Sequence, residues 1–417
     1  MRLVNKLISI LVIIGGTACT ADLSHDDGKT TPLPESAKWM VRLPGKAGIY
    51  NDGLIGLPIV DGAVIFHSTV FTSASEEDNR LYALDIETGA IKWTYPEQYN
   101  REEHCFFNGR PYVYNSMVVV KMPAFSPFAN HDRILILDGK EGLRKKIIHL
   151  PPELSHSTTR DVVGIDDDAW FVQEDKLATR VYRLNILTGD TVLVKRFCSS
   201  HPLGRVEMSL RELSVSAFNG QKLLLLGLSD YTPNQTTASI VLLNALTGSV
   251  YFSKIVETDN DFPVNAAVMV GSQVVYTSGR KAASIDVLNN RLCWQVNSGT
   301  VADSIMPGLL VQSNVVFLWG HKACKALDFE SGYTLFKNSL ECANVNGTSP
   351  WIVIVDYDGN VSVIDERSGS MRKVLRLPSG SGEPYGISYG CKPGFDGRGG
   401  VFLFGKYHGY YFSDLLN

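Results

Sequence analysis

The 417 residues carry 39 Lys and Arg against 43 Asp and Glu, a formal net charge of −4 that excludes a generally basic surface. Hydrophobic residues make up 44% and charged residues 20%, so the chain can build large cores and wholesale disorder is excluded. At this length, two or three ordinary domains and one large ring of β-sheets both fit.

The first segment in chain order is an address. Arg2 and Lys6 precede an apolar run from Leu7 to Ile14, and the small residues Gly15, Gly16, Thr17 and Ala18 precede Cys19. This is the pattern of a secretory signal peptide over residues 1–18. Its apolar run is far short of the ~20 residues that cross a bilayer. Gly16-Thr17-Ala18-Cys19 resembles a bacterial lipobox, with Gly16 where Leu or Val is usual. The Cys19 thiol would take a diacylglyceryl group, and simple cleavage after Ala18 is the alternative. Residues 19–37 are polar, hold two prolines and read as a tether to a body spanning 38–417.

That body repeats one corner. LYALDIETGAIKWTY from Leu81 places an alternating apolar run on each side of a turn, and the same grammar returns from Ile134, Val181, Ile240, Ala283, Lys325 and Val361. In seven copies an Asp or Asn stands four residues before a Gly or Asn: Asp85/Gly89, Asp138/Gly142, Asn185/Gly189, Asn244/Gly248, Asp286/Asn290, Asp328/Gly332 and Asp365/Gly369. The Asx side chain can accept the turn's amides, and the closing residue supplies the positive φ. Successive corners lie about 47 residues apart, enough for a four-stranded sheet. Further strand candidates lie upstream, clearest in 57–68, 162–174, 265–278 and 305–319. Four antiparallel strands repeated around an axis predict an all-β fold, a single β-propeller.

The ends complete the count. Residues 385–415 supply three more strands, and Lys38 to Leu43 looks like the outer strand missing from them. The simplest closure makes eight four-stranded blades with no free edge, and seven blades with an appendage is the alternative.

LYALDIETGAIKWTY resembles the repeat of the pyrroloquinoline-quinone (PQQ)-like propeller family, whose pattern is ALDxxTGxxxW. The resemblance spans about residues 38 to 417. At the family's tryptophan position stand Trp93 and Trp294, but also Phe252, Phe336, Leu193, Lys146 and Lys373. The two lysines put regular blade docking in question at copies two and seven. Within the family, one propeller on a short lipid tether is similar to the BamB-type lipoproteins of outer-membrane protein assembly. That resemblance implies a scaffold without a catalytic site or cofactor, lipid-anchored in the outer membrane, facing the periplasm and binding a partner protein as one subunit of a complex. The family's quinone dehydrogenases would need calcium held by side-chain oxygens, a carboxylate base, cations for the cofactor's acids and often an adjacent cysteine pair, which this chain lacks.

The remaining residues read mostly as structure. Besides Cys19 there are Cys105, Cys198, Cys293, Cys324, Cys342 and Cys391, with no CxxC, and their pairing stays open. The nine histidines show neither HxH nor HExxH spacing, so no metal site is expected. Asp356-Tyr357-Asp358-Gly359-Asn360 and Asp166-Asp167-Asp168 suggest calcium weakly, because neither continues to a distal Glu, and both fit tight hairpins. Arg144-Lys145-Lys146 is a short basic run suited to a solvated strand edge, and nucleic acid is not expected as a partner.

Because strands alternate in direction, the seven corners share one rim, and the long segments 71–80, 94–110, 121–133, 198–212 and 229–238 share the other. Within them Phe106, Phe107, Met122, Phe125 and Phe128 place apolar groups where solvent is expected, a candidate partner-binding cluster. Plugs over the blade cores are the alternative role for these side chains. A second function class is a propeller binding a glycan or another ligand, with Tyr99, Tyr112 and Tyr231 as platforms, and a quinone enzyme is the third.

Overall fold

The computed structural model describes residues 37–42, 58–73, 76–97, 111–122, 132–150, 162–174, 177–210, 213–258, 262–297, 308–320, 322–377, 393–404 and 408–416. Each repeated corner closes on its own Asx residue. Asp85 Oδ1 accepts from the amides of Glu87 and Thr88 at 3.0 and 2.9 Å, and the Gly89 amide donates to the Asp85 carbonyl at 2.8 Å. Asn185 and Asn244 repeat this with amide oxygens. All seven closing residues have positive φ, from 48° at Asn290 to 87° at Gly189.

Strands on either side of these corners assemble into eight separate antiparallel sheets. In chain order they are blade 1 (59–95), blade 2 (112–149), blade 3 (162–198), blade 4 (205–256), blade 5 (264–297), blade 6 (308–338), blade 7 (344–376) and blade 8 (394–412 with 39–42). First strands of blades 2 to 7 touch in succession, which places them innermost, while fourth strands such as Met371–Arg376 alternate between exposed and half-buried outside. The core is accordingly divided into wedges between facing sheets. In one of them Leu223, Leu225, Ile240 and Leu242 of blade 4 meet Val274, Tyr276 and Ile285 of blade 5.

Blade 8 closes the ring. Trp39–Arg42 pairs with His408–Phe412 in the register Trp39↔Tyr411 and Arg42↔His408. Seven blades with an appendage is thereby excluded, and the fold is the eight-bladed propeller expected from the corners.

Each corner also receives the previous blade. The indole N–H groups of Trp39, Trp93 and Trp294 donate to the carbonyls of Ile86, Gly139 and Phe329 at 2.8, 2.9 and 2.8 Å. Their rings lie over Gly89, Gly142 and Gly332, where a Cβ would fall 2.7, 2.5 and 2.8 Å from ring carbons. Copy two docks despite its lysine: the Lys146 ammonium donates to the Leu187 carbonyl at 3.1 Å, and its stem lies beside Gly189. In copy three a β-bulge between Val181 and Tyr182 shifts the register, so that Val194 approaches Gly248 while Leu193 is exposed. Copy seven faces a blade whose fourth strand comes from the N-terminus, and Arg372 there donates to the Leu416 carbonyl at 3.1 Å.

Candidate functional site

Three surfaces of a propeller can carry function: the axis and the two rims. Around the axis stand Ile59–Val60, Tyr112–Tyr114, Val162–Ile165, Ser214–Phe218, Val264–Val270, Gly308–Gln312, Asn344–Thr348 and Gly394–Phe395. None of these eight strands contains Asp, Glu, Lys or Arg. The described axial residues therefore do not fit a quinone with its calcium ion, which needs carboxylate oxygens and cations converging on one point. The polar groups there are amides and hydroxyls: Asn346 Nδ2 donates to the Pro393 carbonyl at 2.7 Å, whereas the Tyr112 hydroxyl, Ser214 Oγ and Gln312 Oε1 are buried without a hydrogen-bond partner. Tyr112 is no platform: its ring lies against Gly164 of the next blade, and burial pushes its hydroxyl pKa far up.

The two acidic runs are hairpin turns. Asp356 Oδ1 accepts from the amides of Asp358 and Asn360 at 2.9 and 2.8 Å, and Asn360 Nδ2 donates to Oδ2 at 2.6 Å. Asp166 turns the chain at φ 52° and pairs with Lys222. No group of three or more His, Cys, Asp or Glu suited to a metal ion occurs among the described residues. Arg144 and Lys145 are exposed on the outer strand Arg144–His149, as expected of a solvated edge.

The rim of the long segments is more ordered than its composition suggests. Residues 71–80 and 229–238 largely continue as strand, in Ala63–Ser73 with Glu76–Asp85 and in Gln221–Tyr231 with Thr236–Asn244. In blade 4 an extra strand, Arg205–Met208, pairs with Leu228–Tyr231 and leans on blade 3, where Thr179 Oγ1 donates to the Val206 carbonyl at 2.7 Å. Tyr231 ends this shelf with the Arg205 guanidinium 5.2 Å from its ring centroid, and Arg205 also pairs with Glu207 at 3.0 Å.

Met122 corrects the expected partner-binding cluster. It is wholly buried in the wedge between blades 1 and 2, because it ends the strand Met117–Met122 on its inward face, and it offers nothing to a partner. Beside it Lys121 and Asp132 form an ion pair at 3.3 Å with both side chains 1% exposed. Phe106, Phe107, Phe125, Phe128, Tyr99 and Cys19 lie outside the described residues.

The opposite rim holds a pattern that the sequence reading passed over. Two residues after the Asx of each corner the side chain points to solvent, and in four blades it is charged: Glu87, Lys140, Glu330 and Arg367. In the three consecutive blades 3, 4 and 5 it is Leu187, Leu246 and Leu288, exposed by 60%, 81% and 58%. Their backbones are pinned from the preceding blade. Lys146 holds the Leu187 carbonyl, Arg183 Nη1 donates to the Leu246 carbonyl at 3.3 Å, and Lys254 Nζ to the Asn290 carbonyl at 2.8 Å. Exposed Val250, Tyr251 and Leu292 begin the fourth strands beside them. The result is an apolar arc on a fixed frame.

No family model and no curated protein matches the sequence. Solved structures match over most of the chain. BamB from Moraxella catarrhalis is 13% identical at a TM-score of 0.57, covering 89% of this chain and 95% of that one. The computationally designed Ika8 protein is 13% identical at 0.57, covering 88% and 99%. Quinohemoprotein alcohol dehydrogenase from Comamonas testosteroni is 12% identical at 0.60, covering 90% of this chain and 76% of that one. The chain shares the fold of these proteins, an eight-bladed β-propeller. At these identities the likeness is one of fold, shared by an enzyme and by BamB alike.

Proposed function

We propose that this chain is a non-catalytic lipoprotein of the cell envelope, a protein-binding scaffold with a BamB-like role in outer-membrane protein assembly. The observation that carries the reading is the leucine arc of blades 3 to 5, exposed apolar surface on a frame too rigid to withdraw it. The likeness to BamB over 89% of this chain supports the role, and the signal-like segment with Cys19 supports the address. An axis without charged strands favours shape over chemistry. Its partner is a protein presenting apolar side chains to the corner rim, and Phe106, Phe107, Phe125 and Phe128 are a second candidate surface on the other rim.

A photo-crosslinking side chain at Leu246, and in parallel at Phe125, tests this in intact envelopes. Capture of an outer-membrane assembly component, lost in the L187S/L246S/L288S variant at unchanged melting temperature, is the expected result. Dye reduction by the chain reconstituted with pyrroloquinoline quinone and calcium would overturn the reading in favour of the enzyme.

A further inference from the structure

Among the four described cysteines the fold brings two together. Cys324 opens the third strand of blade 6, Cys324–Asp328. Cys342 lies in the connection from that blade's fourth strand, Thr334–Asn338, to the first strand of blade 7, Asn344–Thr348. Both are buried in one apolar wedge with Phe317, Val345 and Ile352, 1% and 3% exposed. Their thiols are close enough to perturb one another, and the Cys342 sulfur donates to the Leu340 carbonyl at 3.3 Å. The other two described cysteines stand elsewhere, Cys198 exposed at the end of a blade 3 strand and Cys293 on the outer strand of blade 5.

We propose that Cys324 and Cys342 are joined by a disulfide in the mature protein, which rests on the reading that the chain is exported. One thiolate attacks a sulfur of an oxidising disulfide, either an exchange-active protein or glutathione disulfide, and releases its first thiol. The second thiolate then attacks the mixed disulfide and releases the other. Two electrons pass to the oxidant, and the two cysteine protons end on its thiols. The neighbouring Cys324 thiol, and then burial, hold the Cys342 thiol well above the usual cysteine range, so its thiolate is scarce once the wedge has closed and the bond forms while the chain is folding. It closes a loop of about 18 residues and staples blade 6 to the connection entering blade 7.

The full chain refolded in a glutathione redox buffer, alkylated after denaturation and digested without reduction tests the pair independently of any compartment. A single peptide joining Cys324 to Cys342 is expected, with a melting temperature that reductant lowers in the wild type and leaves unchanged in C324A/C342A. Separate alkylation of the two residues, or either one joined to Cys105, Cys198, Cys293 or Cys391, overturns the proposal. The same map on chain extracted from envelopes separates it from the export reading. Free thiols in chain that has lost residues 1–18 overturn the disulfide, whereas free thiols in cytoplasmic chain retaining them overturn export and leave the refolding result to decide the pair.

Discussion

Gly62 and Gly142 share nearly the same backbone, with φ of 72° and 69°, but not the same surroundings. A Cβ at Gly62 would meet nothing within 4 Å, whereas at Gly142 it would fall 2.5 Å from the Trp93 ring. Gly62→Ala therefore measures the left-handed backbone penalty alone, about 1–2 kcal/mol. Gly142→Ala adds overpacking against an indole whose N–H is committed to Gly139, a further ~1–3 kcal/mol. Urea denaturation of both variants should show Gly142→Ala losing about 1–3 kcal/mol more than Gly62→Ala. Equal losses would mean that the ring yields and that positive φ alone explains glycine in the corners. The comparison also separates two reasons for glycine that look identical in sequence.

The corner as an element titrates. Hydrogen bonds hold four of its aspartates below the usual carboxylate range: the Glu141 amide for Asp138, the Asn289 side chain for Asp286, the Ser331 hydroxyl for Asp328 and the Ser368 amide for Asp365. A folded-state pKa below the unfolded one gives stability that is complete above about pH 4 and is lost as pH falls through the folded value. Asn185 and Asn244 make the same turn without a proton to gain. Replacing the four aspartates with Asn should therefore lower the melting temperature at pH 7 and flatten its fall between pH 7 and pH 3. Parallel curves for variant and wild type would remove the corners from the acid response. These corners were legible in the sequence because the turn is local: an acceptor, two amides and a positive φ within five residues. The leucines at 187, 246 and 288 were equally present, but at a corner position that varies from copy to copy, so the repeat itself does not mark them. Polar stretches such as FTSASEEDNR looked like loop, although strand pairing there is made by backbone groups and needs no apolar alternation. Burial of Met122 was hidden for a different reason, since it depends on which face of a neighbouring blade meets its strand.

Closure is a property of the whole molecule. The strand Trp39–Arg42 meets its partner His408–Phe412 across almost the full length of the chain, so blade 8 can form only when both ends are in place. Trp39 bears most of that junction. It is 1% exposed, lies over Gly89 of blade 1, and packs against Phe402 and Tyr411 with ring centroids 6.3 and 5.8 Å away. Trp39→Ala should cost about 3–5 kcal/mol as a core truncation. Val41 is also wholly buried at the junction, and adding Val41→Asp would place an unpaired carboxylate there and release the strand. The freed edge of His408–Phe412 would then offer unpaired amides and carbonyls to another copy, so the double variant should self-associate with rising concentration in light scattering while the wild type does not. A peptide spanning residues 37–43 added in excess should compete for that edge and return the variant to a monomer. A double variant that melts lower yet stays monomeric, with or without peptide, would show that blade 8 tolerates three strands and that the ring is held by its wedges instead of by its seam.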